Sequence, residues 1–155
     1  EGSKKMTAAG GAKTKHWIGA ARTEIAGDRA LCDTDVVIMA RSKLAGVEVD
    51  ITAYTRFFDR FERRADRVWR VVRRVAIYEK DRLDPVAPSL RFPILYRLAG
   101  FSRYPASYKH LAAGLVRAGQ KINADIVEAG TPAEKEHWRA ARAWLARTEE
   151  RQAAQ

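Results

Sequence analysis

Seven polar side chains fall where the sequence alternates with a period of two: His16, Asp33, Asp35, Tyr54, Arg56, Arg73 and Arg74. A curved antiparallel sheet can aim such residues into one cavity. His16 is the natural proton carrier, because imidazole titrates at about pH 6.5. Asp33 or Asp35, on the neighbouring strand, would orient that ring and stabilise its charged form if the register sets them opposite. Arg74 would bind an anionic group or stabilise a developing oxyanion. These residues divide into a catalytic pair, His16 and Arg74, and a ligand-binding set, Asp35, Tyr54 and Arg56. Plainer roles fit the same positions. A strand-end histidine can bond water or backbone, and Arg74 can pair across strands with Asp50 or Glu48.

The elements that would carry these groups follow from periodicity. His16 to Ala26 alternates as a first strand, with His16, Ile18, Ala20, Arg22 and Glu24 on one side. Gly27-Asp28 is a hairpin signal, in the reverse of the usual Asp-Gly order. Arg29 to Arg41 forms the second strand; its centre, Val36-Val37-Ile38-Met39-Ala40, suits a strand covered on both faces, and Asp33 and Asp35 line up on one side. Gly46 supplies a positive φ at the next turn. From Val47 to Phe57 the odd positions are apolar or threonine, and the even ones are mostly polar. After Arg63-Arg64-Ala65-Asp66 the alternation resumes, with Trp69, Val71, Val75 and Ile77 sharing a face. Four consecutive strands with short turns predict an antiparallel meander.

Prolines 85, 88 and 93 predict that the sheet ends between Asp81 and Pro93. Two helices are expected beyond. One begins near Pro105, carries the stripe Tyr108, Leu111, Ala112 and Leu115, and stops at Gly119. The segment from Lys121 to Gly130 is ambiguous. The last helix has the strongest start signal: Thr131 as N-cap, Pro132 at the first position and Glu134 completing a capping box. Trp138, Ala141, Leu145 and Thr148 then line one face, with Trp144 pointing about 120° away from Trp138. The chain therefore reads as an irregular arm over residues 1–15, a sheet over 16–84 and a helical extension over 85–155.

The 155 residues suffice for one domain with a real core. A formal net charge of +10 permits nucleic acid, acidic surfaces or anionic small molecules as partners. A lone cysteine, Cys32, excludes an internal disulfide framework and fits a reducing cytoplasm. No apolar run approaches the roughly 20 residues needed to cross a bilayer. His16, His110 and His137 are far apart, with no Cys/His pair at metal-ligand spacing. Neither a phosphate-binding loop, a dinucleotide fingerprint nor a nucleophile elbow is present. The arginines 60, 63, 64, 67, 70, 73 and 74 crowd one hairpin end. Beside Trp69, Phe57 and Phe58 they suggest a nucleic-acid surface, but the aromatics interleave at core spacing, so a solvated edge that resists aggregation is the expected role.

The run Arg56-Phe57-Phe58-Asp59-Arg60-Phe61-Glu62-Arg63-Arg64, followed by Val68-Trp69-Arg70-Val71-Val72-Arg73-Arg74-Val75, resembles the SnoaL-like branch of the NTF2-like (cystatin-like α+β) superfamily. Lys15-His16-Trp17-Ile18-Gly19 is similar to the segment that opens a strand there. The hairpin turn departs from that pattern, with Ala65-Asp66-Arg67 where the family has Asp-Gly. The resemblance covers about residues 14 to 84. It implies an α+β fold: a curved antiparallel four-stranded meander forming a cone, with C-terminal helices, around a pocket for a small, largely apolar molecule. It also implies cofactor-independent lyase or isomerase chemistry, dehydratase-like, with a histidine at the position of His16 as general base and an arginine at that of Arg74 assisting. The family's helices ahead of His16, and the Asp they carry, have no counterpart here. A non-catalytic ligand-binding or dimerisation module is the alternative. The expected partners are a small apolar or anionic organic molecule and further copies of the chain, since an uncovered concave face favours association. Nucleic acid and membrane are not expected partners, and the cytoplasm is the expected location.

Overall fold

The computed structural model describes residues 14–122 and 126–153. Its elements are strands β1 (Thr14–Ala26), β2 (Arg29–Leu44), β3 (Val47–Arg63) and β4 (Trp69–Pro85), helix α1 (Phe92–Leu98), a 3₁₀ turn (Phe101–Arg103), helix α2 (Lys109–Arg117), strand β5 (Ile126–Glu128) and helix α3 (Pro132–Ala153). One sheet has the order β1-β2-β3-β4-β5. The four-stranded meander is present, and a fifth strand is added. β5 runs parallel to β4, pairing Ala76 with Ile126 and Tyr78 with Glu128.

The turns show why the strands reverse where they do. At Gly27-Asp28 only the glycine has a positive φ, of 56°. That is the II′ pattern, which places glycine first and accounts for the reversed order. At Ala45-Gly46 both residues are left-handed, with φ of 46° and 87°, the I′ pattern. Between β3 and β4 the Arg67 N–H donates to the Arg64 carbonyl at 2.8 Å, and Arg67 takes a φ of 61°. A three-residue loop normally puts glycine there, and its replacement by arginine is the altered turn seen in the sequence. The Asp66 carboxylate compensates by accepting the Val68 N–H and gripping Arg70.

The described chain contains two compact units, within Glu1–Trp17, Val37–Tyr54 and Glu79–Ala124, and within Ile18–Val36, Thr55–Tyr78 and Asp125–Gln155. In the first, Leu44 and Val49 of the sheet pack with Phe101 and Ala113, flanked by Leu83, Phe92, Leu95 and Tyr96. There α2 comes so close to β3 that a Cβ on Gly114 would meet Ile51 Cδ1 at 3.3 Å. In the second, Leu31, Phe58 and Ile77 pack with Ala141 and Leu145 of α3, with Trp138 and Trp144 partly buried against them.

The sheet ends within the interval that the prolines mark, since β4 continues to Pro85 and takes in Asp81. Other expectations need correction. The buried set on β3 keeps odd parity from Val49 through Thr55 and then shifts, so that Phe58 is buried and Phe57 only half-buried. Trp69 and Val71 are exposed rather than core. A further helix, α1, precedes the two expected ones. α2 starts at Lys109, a turn later than Pro105 suggests. Its end follows the sequence: Gly119 at φ 73° is accompanied by a bond from the Gln120 N–H to the Leu115 carbonyl, a Schellman closure.

Ala45 is the strained position of the I′ turn, since a left-handed residue with a Cβ costs about 1–2 kcal/mol. Ala45→Asn restores the favoured Asn-Gly pair. We expect it to raise the free energy of unfolding by about 1 kcal/mol in urea titration; a loss of stability would show that the turn is not strained.

Candidate functional site

The second unit builds a chain of charges around Arg56 of β3. Its Nη1 donates to Asp33 Oδ2 at 2.9 Å, and its Nη2 donates to Glu134 Oε1. Arg22 of β1 reaches the same Asp33 oxygen at 2.9 Å and Asp35 Oδ1 at 3.1 Å. The Asp33 side chain is only 3% exposed, those of Arg56 and Glu134 13% and 14%. Burial works against the Arg56 charge, but its bonds to Glu134 and Asp33 outweigh that and hold its pKa above the ordinary value. Burial likewise pushes the Glu134 carboxyl up, yet the Gly130 N–H and Arg56 outweigh it and keep it below the usual range.

Glu134 also opens α3. Its Oε2 accepts the Gly130 N–H at 2.7 Å, while its own N–H donates to Thr131 Oγ1 at 3.4 Å. The expected capping box is therefore present on the threonine side. On the other side the carboxylate bonds one residue earlier than the N-cap, which leaves its second oxygen for Arg56.

The residues singled out by sequence are partly brought together here. Arg22 bridges Asp33 and Asp35, although Asp33 is buried and Asp35 exposed, because the buried set on β2 shifts from odd to even positions between Asp33 and Val36. Arg56 joins this group through Asp33. Arg74 stands apart: its Nε and Nη2 each donate to Asp59 at 2.7 Å, and its guanidinium carbon lies 4.7 Å from the Phe57 ring centroid. Its carboxylate partner is Asp59 rather than Asp50 or Glu48, and Asp50 is held by Arg41. His16 and Tyr54 belong to the first unit, His16 exposed on β1 and Tyr54 beside Lys80, whose Nζ lies 5.0 Å from its ring centroid.

The first unit contains an arrangement that the sequence did not reveal. Asp81 Oδ1 accepts from His110 Nδ1 at 2.8 Å, and His110 Nε2 meets the Tyr96 hydroxyl at 2.9 Å. A carboxylate accepts, so Nδ1 carries a proton, and Nε2 and the Tyr96 hydroxyl share the second hydrogen bond of the ring. Asp81 Oδ2 accepts the backbone N–H groups of His110 and Leu111 at 2.7 and 2.9 Å. These are orphan donors of the first turn of α2, whose N-cap Tyr108 makes no side-chain cap bond. Asp81 thus caps the helix from the sheet, where its charge meets the positive end of the helix dipole. The pair is fully enclosed, with side-chain exposures of 0% for Asp81 and 5% for His110, and Phe101 packs edge-on to the imidazole at 4.9 Å. Two clues point this way in retrospect: a helix with no capping residue of its own, and an aspartate two residues beyond Tyr78-Glu79 on a strand that does not end there.

Among the described residues no group of three or more His, Cys, Asp or Glu side chains could hold a metal ion. Nor is any helix among them long and apolar enough to cross a membrane.

Asp81→Asn keeps the shape but removes the charge and one acceptor of the imidazole bond. We expect it to cost about 2–3 kcal/mol of stability, the scale of a hydrogen bond to a buried charged group, with earlier amide exchange in the first turn of α2. Unchanged exchange at His110 and Leu111 would mean that the helix start does not depend on Asp81.

Residues 2–75 match the family model described as SnoaL-like domain. No curated protein matches the chain. The matched stretch runs through β1, β2 and β3 into β4 and includes His16, Asp33, Asp35, Tyr54, Arg56 and Arg74. Over residues 2–75, just under half its length, the chain is thus similar to the SnoaL-like domain, and its fold is α+β, as in the NTF2-like superfamily.

Proposed function

We propose that this chain binds a small, largely apolar organic molecule against its sheet. The observation that carries the reading is the state of β1. It is exposed from Thr14 to Ile25, and Trp17, Ile18 and Ile25 are 67%, 55% and 65% open to solvent. Trp17 and Ile25 stand on one face of β1 and Ile18 on the other, and an indole so exposed on a SnoaL-like domain is what a guest would cover.

A second reading adds chemistry: a cofactor-independent lyase or isomerase with His16 as general base. It is favoured by one observation, that His16 is itself exposed and directly precedes Trp17 on β1. A guest on the His16 side of β1, the face opposite to the Trp17 indole, would lie within reach of the imidazole, which can abstract a proton near neutral pH.

The dye 8-anilinonaphthalene-1-sulfonate, apolar and anionic, serves as a probe. We expect saturable fluorescence enhancement, with Trp17→Ala weakening the affinity at least about fivefold, or ~1 kcal/mol. Absence of saturation, together with self-association blocked by Trp17→Ala, would assign β1 to a contact between copies instead. For the second reading, deuterium uptake by a 1,3-diketone is expected to be accelerated by the chain and to return to the background rate in His16→Ala. Equal rates in the two proteins would remove His16 from the chemistry.

A further inference from the structure

Helix α1 is apolar on two sides. Phe92, Leu95, Tyr96 and Ala99 flank the core that Leu44, Val49, Phe101 and Ala113 build. The side turned away from that core is apolar too. Leu90, Ile94 and Leu98 follow one another at intervals of four, so they stand one above the next along one face. Leu90 lies in the turn ahead of the helix. There the Phe92 N–H donates to the Ser89 carbonyl at 3.2 Å and the Leu95 N–H to the Arg91 carbonyl at 3.0 Å, so the chain already coils at that point. The three side chains are 97%, 64% and 76% open to solvent. A helix apolar on two sides is ordinarily covered on both, and this one is covered on one. Single surface leucines need no explanation, but three in register do.

The charges beside the stripe are of one sign. From Pro85 to Ala124 the sequence has no Asp or Glu, and it carries Arg91, Arg97, Arg103, Lys109, Arg117 and Lys121. Arg91 and Arg97 are exposed and adjoin Leu90 and Leu98 in the chain. At the C-terminal end of α1, Arg103 and Arg117 both reach the Ala99 carbonyl, at 3.5 and 3.3 Å, next to Leu98. Among the described residues none of these four arginines has a carboxylate partner. An aliphatic stripe edged by cations suits the surface of an anionic bilayer. The side chains enter the boundary between headgroups and acyl chains, and the cations meet the lipid anions. A short helix suffices, because the core on its inner side already holds it folded. Other occupants fit less well. Aliphatic side chains have no ring on which a base could stack and no group to read a base edge, so nucleic acid would leave the stripe in water. A second copy docked on the same face through a two-fold axis would set arginines against arginines.

We propose that the stripe Leu90, Ile94 and Leu98, with the arginines beside it, is a docking face for a bilayer surface that bears anionic phospholipids. The face lies wholly within the first unit and stands independently of the binding reading for β1. Helix α1 lies in the headgroup plane, and no segment needs to cross the bilayer.

The test sediments the whole chain with sucrose-loaded vesicles, of phosphatidylcholine alone or of equal parts phosphatidylcholine and phosphatidylglycerol. Saturable binding is expected to the mixed vesicles, and at least about tenfold weaker binding to phosphatidylcholine alone. Net charge by itself would also draw the chain to the mixed vesicles, so the stripe is tested by Leu90→Ser with Ile94→Ser, which keeps every charge. That pair is expected to weaken binding at least about tenfold at an unchanged melting temperature, since both side chains are exposed. Arg91→Gln with Arg97→Gln is expected to weaken it about tenfold as well, and more than Arg64→Gln with Arg67→Gln, which removes the same charge from the second unit. Should the serine pair not fold, this comparison of the two arginine pairs carries the test. Wild-type binding by the serine pair would overturn the proposal, as would equal losses from the two arginine pairs. So would loss of binding in Trp17→Ala in place of the serine pair, which would assign the contact to β1. Self-association abolished by the serine pair, or capture of a single-stranded oligonucleotide, with no binding to either vesicle would overturn it too.

Discussion

The second unit depends on a single fork, the guanidinium of Arg56 held between Asp33 of β2 and Glu134 in the first turn of α3. All three side chains are largely withdrawn from water. Such a group is tolerable only complete, since removing one member leaves a buried charge with no counterpart. Completeness fixes geometry. It ties the start of α3 to the middle of the sheet, and the helix then lays Trp138, Ala141 and Leu145 onto Leu31, Phe58 and Ile77. Phe58 shows how close the fit is, with Trp138 at 4.4 Å and His137 at 4.9 Å, both edge-on.

The first unit meets a related need by another route. In each unit a carboxylate stands at the start of a helix, accepting the Gly130 N–H just ahead of α3 and the His110 and Leu111 N–H groups of α2, and complements the helix dipole. For α3 that carboxylate is the helix's own Glu134, which spends its second oxygen on Arg56. For α2 it comes from the sheet, as Asp81, which spends its second oxygen on His110. Acidic residues that could have served acid–base chemistry are therefore engaged in positioning helices. Asp33 is taken by Arg22 and Arg56, and Asp59 by Arg74.

The sequence made the sheet legible because β1 to β3 alternate with period two, and because Gly27 and Gly46 sit where φ must be positive. The start of α3 was equally plain, since Thr131, Pro132 and Glu134 act over four residues and need nothing distant. What escaped notice depended on partners far along the chain. β5 is three residues long and is defined only by its pairing with β4. The shift from Thr55 to Phe58 depends on what packs above the strand, and alternation alone continues through Phe57. His110 sits outside the apolar stripe of its helix, and Asp81 followed what looked like the end of a strand, so nothing local joined them across 29 residues. For the site itself, the nearness of Asp33 to Asp35 was readable from their spacing on one strand. That an arginine rather than a histidine would bridge them was not, because register between strands decides it.

A double-mutant cycle on Arg56→Ala and Glu134→Gln, read as unfolding free energy in urea, tests this account most directly. Each single change is expected to cost about 3 kcal/mol or more, and the pair much less than the sum, with a coupling of at least about 1.5 kcal/mol. Costs that simply add, with coupling below about 0.5 kcal/mol, would mean that the fork does not hold the helix to the sheet.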